Sequence, residues 1–167
     1  IATGAVHNKL GVKGEEEFLG KGVSYCATCD GAFYKDKDVV VAGGGDTALS
    51  EALYLSKICR KVYLVHRRDE LRGNKAYQDE ISARENIEFI GNAVIDEIKG
   101  DSHVTALLYH DKVSDAQCML KIDGIFVAIG MKPDTGIVKG IAAMDEYGYI
   151  IAGEDGRTNV DGLFVAG

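Results

Sequence analysis

Proline occurs only once in the 167 residues, at Pro133, against 21 glycines. That imbalance points to glycine serving turns and close backbone approaches to a ligand rather than flexible linkers. No apolar run approaches the length needed to cross a bilayer, and no signal peptide is visible, so a cytoplasmic protein with no membrane partner is expected. An excess of basic charge is missing too. Lys and Arg number 19 against 26 Asp and Glu, the formal net charge is -7, and there is no polybasic arm, which argues against a nucleic-acid surface. There is no low-complexity tract, no internal repeat and no initiator methionine. Ile1-Ala2-Thr3-Gly4 opens as though in mid-strand, and Gly162-Leu163-Phe164-Val165-Ala166-Gly167 is another strand-like run stopping at a glycine. Both ends read as severed interior sequence, so a fragment or processed piece is expected. What is present, 46% hydrophobic and 27% charged residues, suits one globular domain with a proper core, or one domain plus pieces of another.

The organising stretch is Val39-Val40-Val41-Ala42-Gly43-Gly44-Gly45-Asp46-Thr47-Ala48. Its small and β-branched apolar residues predict a strand buried on both faces, as in a parallel sheet. The glycines end the strand, and Asp46 is the expected N-cap of a following helix. Gly43, Gly45 and Ala48 match G-x-G-x-x-G/A at the change from strand to helix. There, glycine allows a tight turn and lets a pyrophosphate reach the backbone, and the helix N-terminus favours the anion. The competing reading is an ordinary glycine turn.

Around this turn the pattern is regular. Residues 6–21 are polar and glycine-punctuated, a connecting segment with Glu15, Glu16 and Glu17 on a solvated face. Apolar residues at helical spacing predict a helix from Ala48 to about Ile58, a strand over 62–65, a helix over 75–84 and a strand over 87–90. Strand, helix, strand, helix, strand is a doubly wound pattern. Alternation over 94–98, 104–110 and 118–122, broken by polar turns, predicts an antiparallel three-stranded meander. Residues 124–130 return to a buried parallel strand, and short strands are expected at 149–151 and 163–166. The expected class is therefore α/β: a Rossmann-like doubly wound parallel sheet with an antiparallel β-meander.

Two groups of residues carry chemistry. About 20 residues after such a glycine turn, an acidic residue would bind the ribose 2′-hydroxyl of NAD. Here the second strand ends instead at His66-Arg67-Arg68, with Arg72 one helical turn further on. The planar guanidinium suits a 2′-phosphate, so the pattern points to NADP; a basic solvated loop is the plainer alternative. Charge-assisted contacts contribute about 1.5–3 kcal/mol each, so two of them would give roughly a hundredfold preference for the phosphorylated cofactor. Cys26-Ala27-Thr28-Cys29 is a C-x-x-C near a βαβ pattern, which suggests a redox dithiol. The rival is half a zinc site, but Cys59 and Cys118 form no second such pair and His7, His66, His103 and His110 are scattered. Asp30, directly after the pair, is a candidate to exchange a proton with the sulfurs, or simply an acidic turn residue before Gly31.

Taken together, Cys26-Ala27-Thr28-Cys29-Asp30-Gly31, the turn Gly43 to Ala48, and His66-Arg67-Arg68 with Arg72 resemble the low-molecular-weight (bacterial-type) thioredoxin reductases in order and spacing. Phe126-Val127-Ala128-Ile129-Gly130 is similar to the strand that closes their NADPH domain. The resemblance spans essentially the whole chain. It implies an NADPH-binding domain over 10–131 carrying the redox pair, with 1–9 and 132–167 as pieces of an interrupted FAD domain. It implies electrons passing from NADPH through FAD to a Cys26–Cys29 disulfide and then to thioredoxin, in a homodimeric flavoenzyme whose NADPH domain rotates against the FAD domain. By the same resemblance Cys26, Cys29 and Asp30 are catalytic, and Gly43, Gly44, Gly45, Asp46, Thr47, Ala48, His66, Arg67, Arg68, Arg72 and Ile129 bind the cofactor. One departure matters: the family's flavin domain has its own glycine fingerprint, the sequence holds no second one, and the acidic residue expected after Gly167 is not reached. The chain by itself is therefore expected to be inactive. Two other readings fit the same residues: the reductase component of a peroxidase system, and a non-catalytic module that senses NADPH or zinc.

Overall fold

A computed structural model describes residues 1–166. In chain order the strands and helices are β1 (Ala5–His7), β2 (Val23–Ser24), α1 (Ala27–Asp30), β3 (Asp38–Ala42), α2 (Asp46–Leu55), β4 (Lys61–Val65), α3 (Lys75–Ser82), β5 (Ile87–Ile90), β6 (Ala93–Gly100), β7 (Val104–Asp111), β8 (Ala116–Lys121), β9 (Gly124–Val127) and β10 (Met131–Pro133). They form two compact units, one over Lys9–Ile129, the other made of Ile1–Asn8 and the segment from Gly130 onward.

In the larger unit, β2, β9, β3, β4 and β5 lie in that order in a five-stranded sheet, and every neighbouring pair is parallel. The valine run forms the centre, because alternate side chains of a strand point to opposite faces and both faces here are covered. Val39 and Val41 pack with Leu49, Ala52 and Leu53 of α2 and with Ile81 of α3. Val40 and Ala42 pack instead with Ile95, Ile98, Val104 and Leu107 of the antiparallel sheet β6-β7-β8. The α/β class and the meander agree with the sequence pattern. Within that class, the helices line one face of the parallel sheet and the meander covers the other.

Several boundaries differ from expectation. The helix after the glycine turn ends at Leu55 rather than near Ile58, with the Ser56 hydroxyl turned back on Leu53 O at 2.8 Å. Helix α3 ends at Ser82 rather than residue 84, and β9 ends at Val127. Glu15 is not on a solvated face: it is 2% exposed, whereas Glu16 and Glu17 face solvent. Its carboxylate accepts the N–H groups of Leu10 (2.9 Å) and Gly11 (2.7 Å) and the Tyr25 hydroxyl (2.8 Å), enough to satisfy a buried anion. Burial first, and then the Glu15 carboxylate, push the Tyr25 hydroxyl well above the usual tyrosine range.

In the smaller unit, β1 pairs antiparallel with β10, so the polar segment after residue 5 starts as a strand and not as a connection. The strands expected at 149–151 and 163–166 reduce to single bridges, Met144 with Ile150 and Arg157 with Phe164. Gly167 lies outside the described residues.

Candidate functional site

Strand β3 delivers the glycine turn to the carboxyl edge of the parallel sheet, where ligands of open α/β sheets bind. The glycines differ in what demands them. Gly43 sits at φ +150°, and a Cβ there would lie 2.3 Å from Ala128 O and 2.8 Å from the Ala48 side chain. Both backbone and packing exclude a side chain, and the small Ala48 is part of the same close contact. Gly44 faces the His66 ring, which a Cβ would approach to 2.6 Å. At Gly45 a Cβ would meet nothing within 4 Å and φ is −96°, so neither packing nor backbone asks for glycine there. The open space there leaves room for a ligand to approach the backbone, and the first N–H groups of α2 follow immediately.

Asp46 is not the N-cap. Gly45 takes that position without a side-chain bond, and Asp46 opens the first turn of α2. Its Oδ1 accepts the Asn74 N–H at 2.6 Å, because the loop after β4 folds back over the turn. The same loop donates Arg72 N–H (2.7 Å) and Gly73 N–H (3.1 Å) to Gly44 O. Asn74 in turn caps α3, its side chain accepting Ala76 N–H at 2.9 Å. The glycine turn and the arginine loop are thus one laced structure, with Thr47 exposed beside them.

His66, Arg67 and Arg68 leave β4 at the same edge. His66 is 7% exposed, its Nε2 is buried without a hydrogen-bond partner, and its ring lies under Gly44. Burial, then the charges of Arg72, Arg68 and Arg67, hold its pKa below the ordinary histidine value. Arg67, Arg68 and Arg72 are exposed and none makes an ion pair among the described residues. Their backbone is nonetheless fixed, with Asn92 N–H donating to Arg68 O at 2.9 Å and Lys112 Nζ to Arg67 O at 3.4 Å. Exposed guanidinium groups on a fixed backbone, with no ion pair among the described residues, suit an external phosphate. Ile129 follows β9 at this edge, just after Ala128, whose N–H donates to Ala42 O at 2.8 Å.

The C-x-x-C pair follows the end of β2, two strands across the sheet from β3. Cys26 and Cys29 are joined by a disulfide. A disulfide is the oxidised form of a C-x-x-C dithiol, consistent with a redox pair. Cys26 is the N-cap of α1, its sulfur accepting Cys29 N–H at 3.2 Å. Cys59 is buried and its thiol is pushed up to about 11, by burial first and then by Asp123, Asp36 and Asp38. Asp30 stands at the end of α1, where its Oδ2 accepts the Ser24 hydroxyl at 2.6 Å. Ala27 N–H donates to Glu51 Oε1 of α2 at 3.4 Å, and Ala27 shares the core of Leu49 and Leu55. Helix α2 therefore begins at the glycine turn and meets the disulfide helix five residues later, about 8 Å along its axis. Ser24, Glu51, Gly73 and Asn74 carried no local pattern that would have singled them out.

The sequence pattern of the Pyridine nucleotide-disulphide oxidoreductase family matches residues 1–167. A thioredoxin reductase of Listeria innocua is 46% identical over 168 residues, which take in 100% of this chain and 53% of that protein. The crystal structure of Lactococcus lactis thioredoxin reductase in its FR conformation superposes with a TM-score of 0.91 at 42% identity, covering 98% of this chain and 55% of that one. That of T. acidophilum thioredoxin reductase gives 0.91 at 40% identity, over 100% and 55%. The chain spans about half the length of the relatives it matches.

Proposed function

This chain belongs to the pyridine nucleotide-disulphide oxidoreductase family, and we propose that it is the NADPH-binding and dithiol-bearing part of a thioredoxin reductase. The observation that carries the reading is the joining of two features by one helix. The glycine turn with its unpaired arginines stands at the N-terminus of α2, and the Cys26–Cys29 disulfide helix packs on its side. The domain reading goes with it: residues 10–131 bind NADPH, and 1–9 with 132–167 belong to a flavin domain.

In this proposal, Gly43, Gly44 and Gly45 with the first N–H groups of Asp46, Thr47 and Ala48 receive the pyrophosphate. Arg67, Arg68 and Arg72 take the 2′-phosphate, His66 supports the turn from below, and Ile129 borders the site. NADPH supplies a hydride, and a flavin, if bound beside this unit, would convert it into electrons a disulfide can take. At the sulfurs, two electrons and two protons open the Cys26–Cys29 bond to a dithiol, and the reverse step reduces the disulfide of thioredoxin. Asp30 exchanges a proton with the pair. A homodimer and a cytoplasmic location belong to the same reading; among the described residues no helix is long and apolar enough to cross a membrane.

The test is calorimetry of this chain with NADPH and NADH. NADPH is expected to bind roughly a hundredfold more tightly. Replacing Arg67 and Arg68 together by alanine is expected to close most of that gap and leave weak binding of both. Equal affinity of the unaltered chain for the two nucleotides would overturn the proposal. A second measurement follows NADPH absorbance with oxidised thioredoxin: the chain alone is expected to bind the nucleotide without oxidising it.

A further inference from the structure

Ser24 is the last residue of β2 and only 5% exposed. Its hydroxyl donates to Asp30 Oδ2 at 2.6 Å, in the short range of hydrogen bonds to a charged acceptor. The same oxygen accepts the Cys26 N–H at 3.1 Å. One side chain thus holds both the backbone of the first cysteine and the carboxylate that follows the second. The two ends of this link differ in stiffness. Val23 and Ser24 are paired in register with Ile125 and Phe126, at the edge of the parallel sheet. Asp30 ends a helix of four residues, too short to hold its own geometry without outside contacts.

We infer that Ser24 is a positioning residue that holds Asp30 in place for proton exchange with the Cys26–Cys29 pair, a role that rests on the dithiol reading above. With Oδ2 engaged by the serine, Oδ1 is left for the proton. In the reduced pair, one S–H bond breaks and one O–H bond forms at Oδ1, leaving a thiolate beside a neutral acid. No electrons leave the pair in that step, and the proton returns by the same route. Ionisable groups near this helix, among the described residues, include Tyr34 on the following turn, which feels the Asp30 charge, and Glu51 of α2, which faces Ala27. Neither is altered in the variants below.

The experiment reduces the chain and follows iodoacetamide labelling of Cys26 and Cys29 by mass spectrometry, from about pH 5 to about pH 10. A carboxylate beside a thiol disfavours the thiolate, so Asp30→Asn is expected to move the labelling profile about one pH unit lower. Ser24→Ala, which frees the carboxylate to turn away, is expected to move it the same way by about half as much. Ser24→Thr restores the hydroxyl and should keep the original profile, and Ser24→Ala added to Asp30→Asn should move nothing further. Circular dichroism of each variant reports whether it is folded. A shift with Asp30→Asn but none with Ser24→Ala would overturn the role of Ser24 alone. So would an undiminished Ser24→Ala shift in the Asp30→Asn background. A flat response to Asp30→Asn would remove the role of Ser24 together with the part of Asp30 in the proposed reaction. NADPH affinity depends on none of these residues, so calorimetry on the same samples tests the cofactor reading separately.

Discussion

Gly44 and Gly45 stand side by side in the turn yet answer to different constraints. A methyl group at Gly44 would press on the His66 ring at 2.6 Å, and that ring is too buried to move aside. Gly44→Ala is expected to cost about 1–3 kcal/mol in urea unfolding, as overpacking does, with part of the loss recovered when His66 is also replaced by alanine. Gly45→Ala meets open space. It should stay within about 1 kcal/mol of the parent in stability but lose at least about tenfold in NADPH affinity. His66 itself carries a pH dependence. Its pKa in the folded chain is lowered from 6.5 by burial and by the three arginines, so the unfolded chain takes up the proton first. The stability it contributes is full above pH 6.5 and is lost as the pH falls from there through the lowered folded value. The difference in melting temperature between the parent and His66→Gln should therefore narrow as the pH drops from about 7.5 to about 5.5.

At the scale of elements, the loop from Lys9 to Gly14 is held by a buried charge. Glu15 gathers two backbone N–H groups and the Tyr25 hydroxyl, and Tyr25 directly precedes Cys26. The loop is joined to the meander as well, since Ile98 N–H donates to Lys13 O at 2.9 Å. Glu15→Ala leaves the carboxylate's three donors without their acceptor. The expected loss is about 2–4 kcal/mol in denaturant unfolding, far more than for the exposed neighbour Glu17→Ala, which should fall within about 0.5 kcal/mol of the parent. Similar losses for the two would show that water replaces the carboxylate without penalty.

For the molecule as a whole, every residue of the two hydrophobic clusters lies within Lys9–Ile129, the helix-side one and the meander-side one alike. A unit that contains its whole core is able to fold by itself. Residues 9–129 produced alone should unfold cooperatively, within about 5 °C of the full chain's midpoint, and keep its NADPH affinity. Loss of cooperativity in circular dichroism would show that the flanking segments are needed to complete the core.

The central strand, its glycine turn, the arginines after β4 and the change from crossovers to meander are legible in the order of residues alone, because each is written in a local period or in residues a few positions apart. Val39 to Ala42 could form little but a strand buried on both faces, and Gly43 ended it. Tertiary structure decided what depends on partners remote in the chain. Strand β2 has two residues, too few to show a period, and exists because β9 pairs with it about a hundred residues later. Asp46 reads as a cap, but the returning loop offers its carboxylate the Asn74 N–H instead. Glu15 reads as one of three solvated acids, yet Leu10, Gly11 and Tyr25 converge on it and bury it. Polarity marks a residue for solvent only until the fold supplies its hydrogen bonds, and those are settled by which segments meet in space.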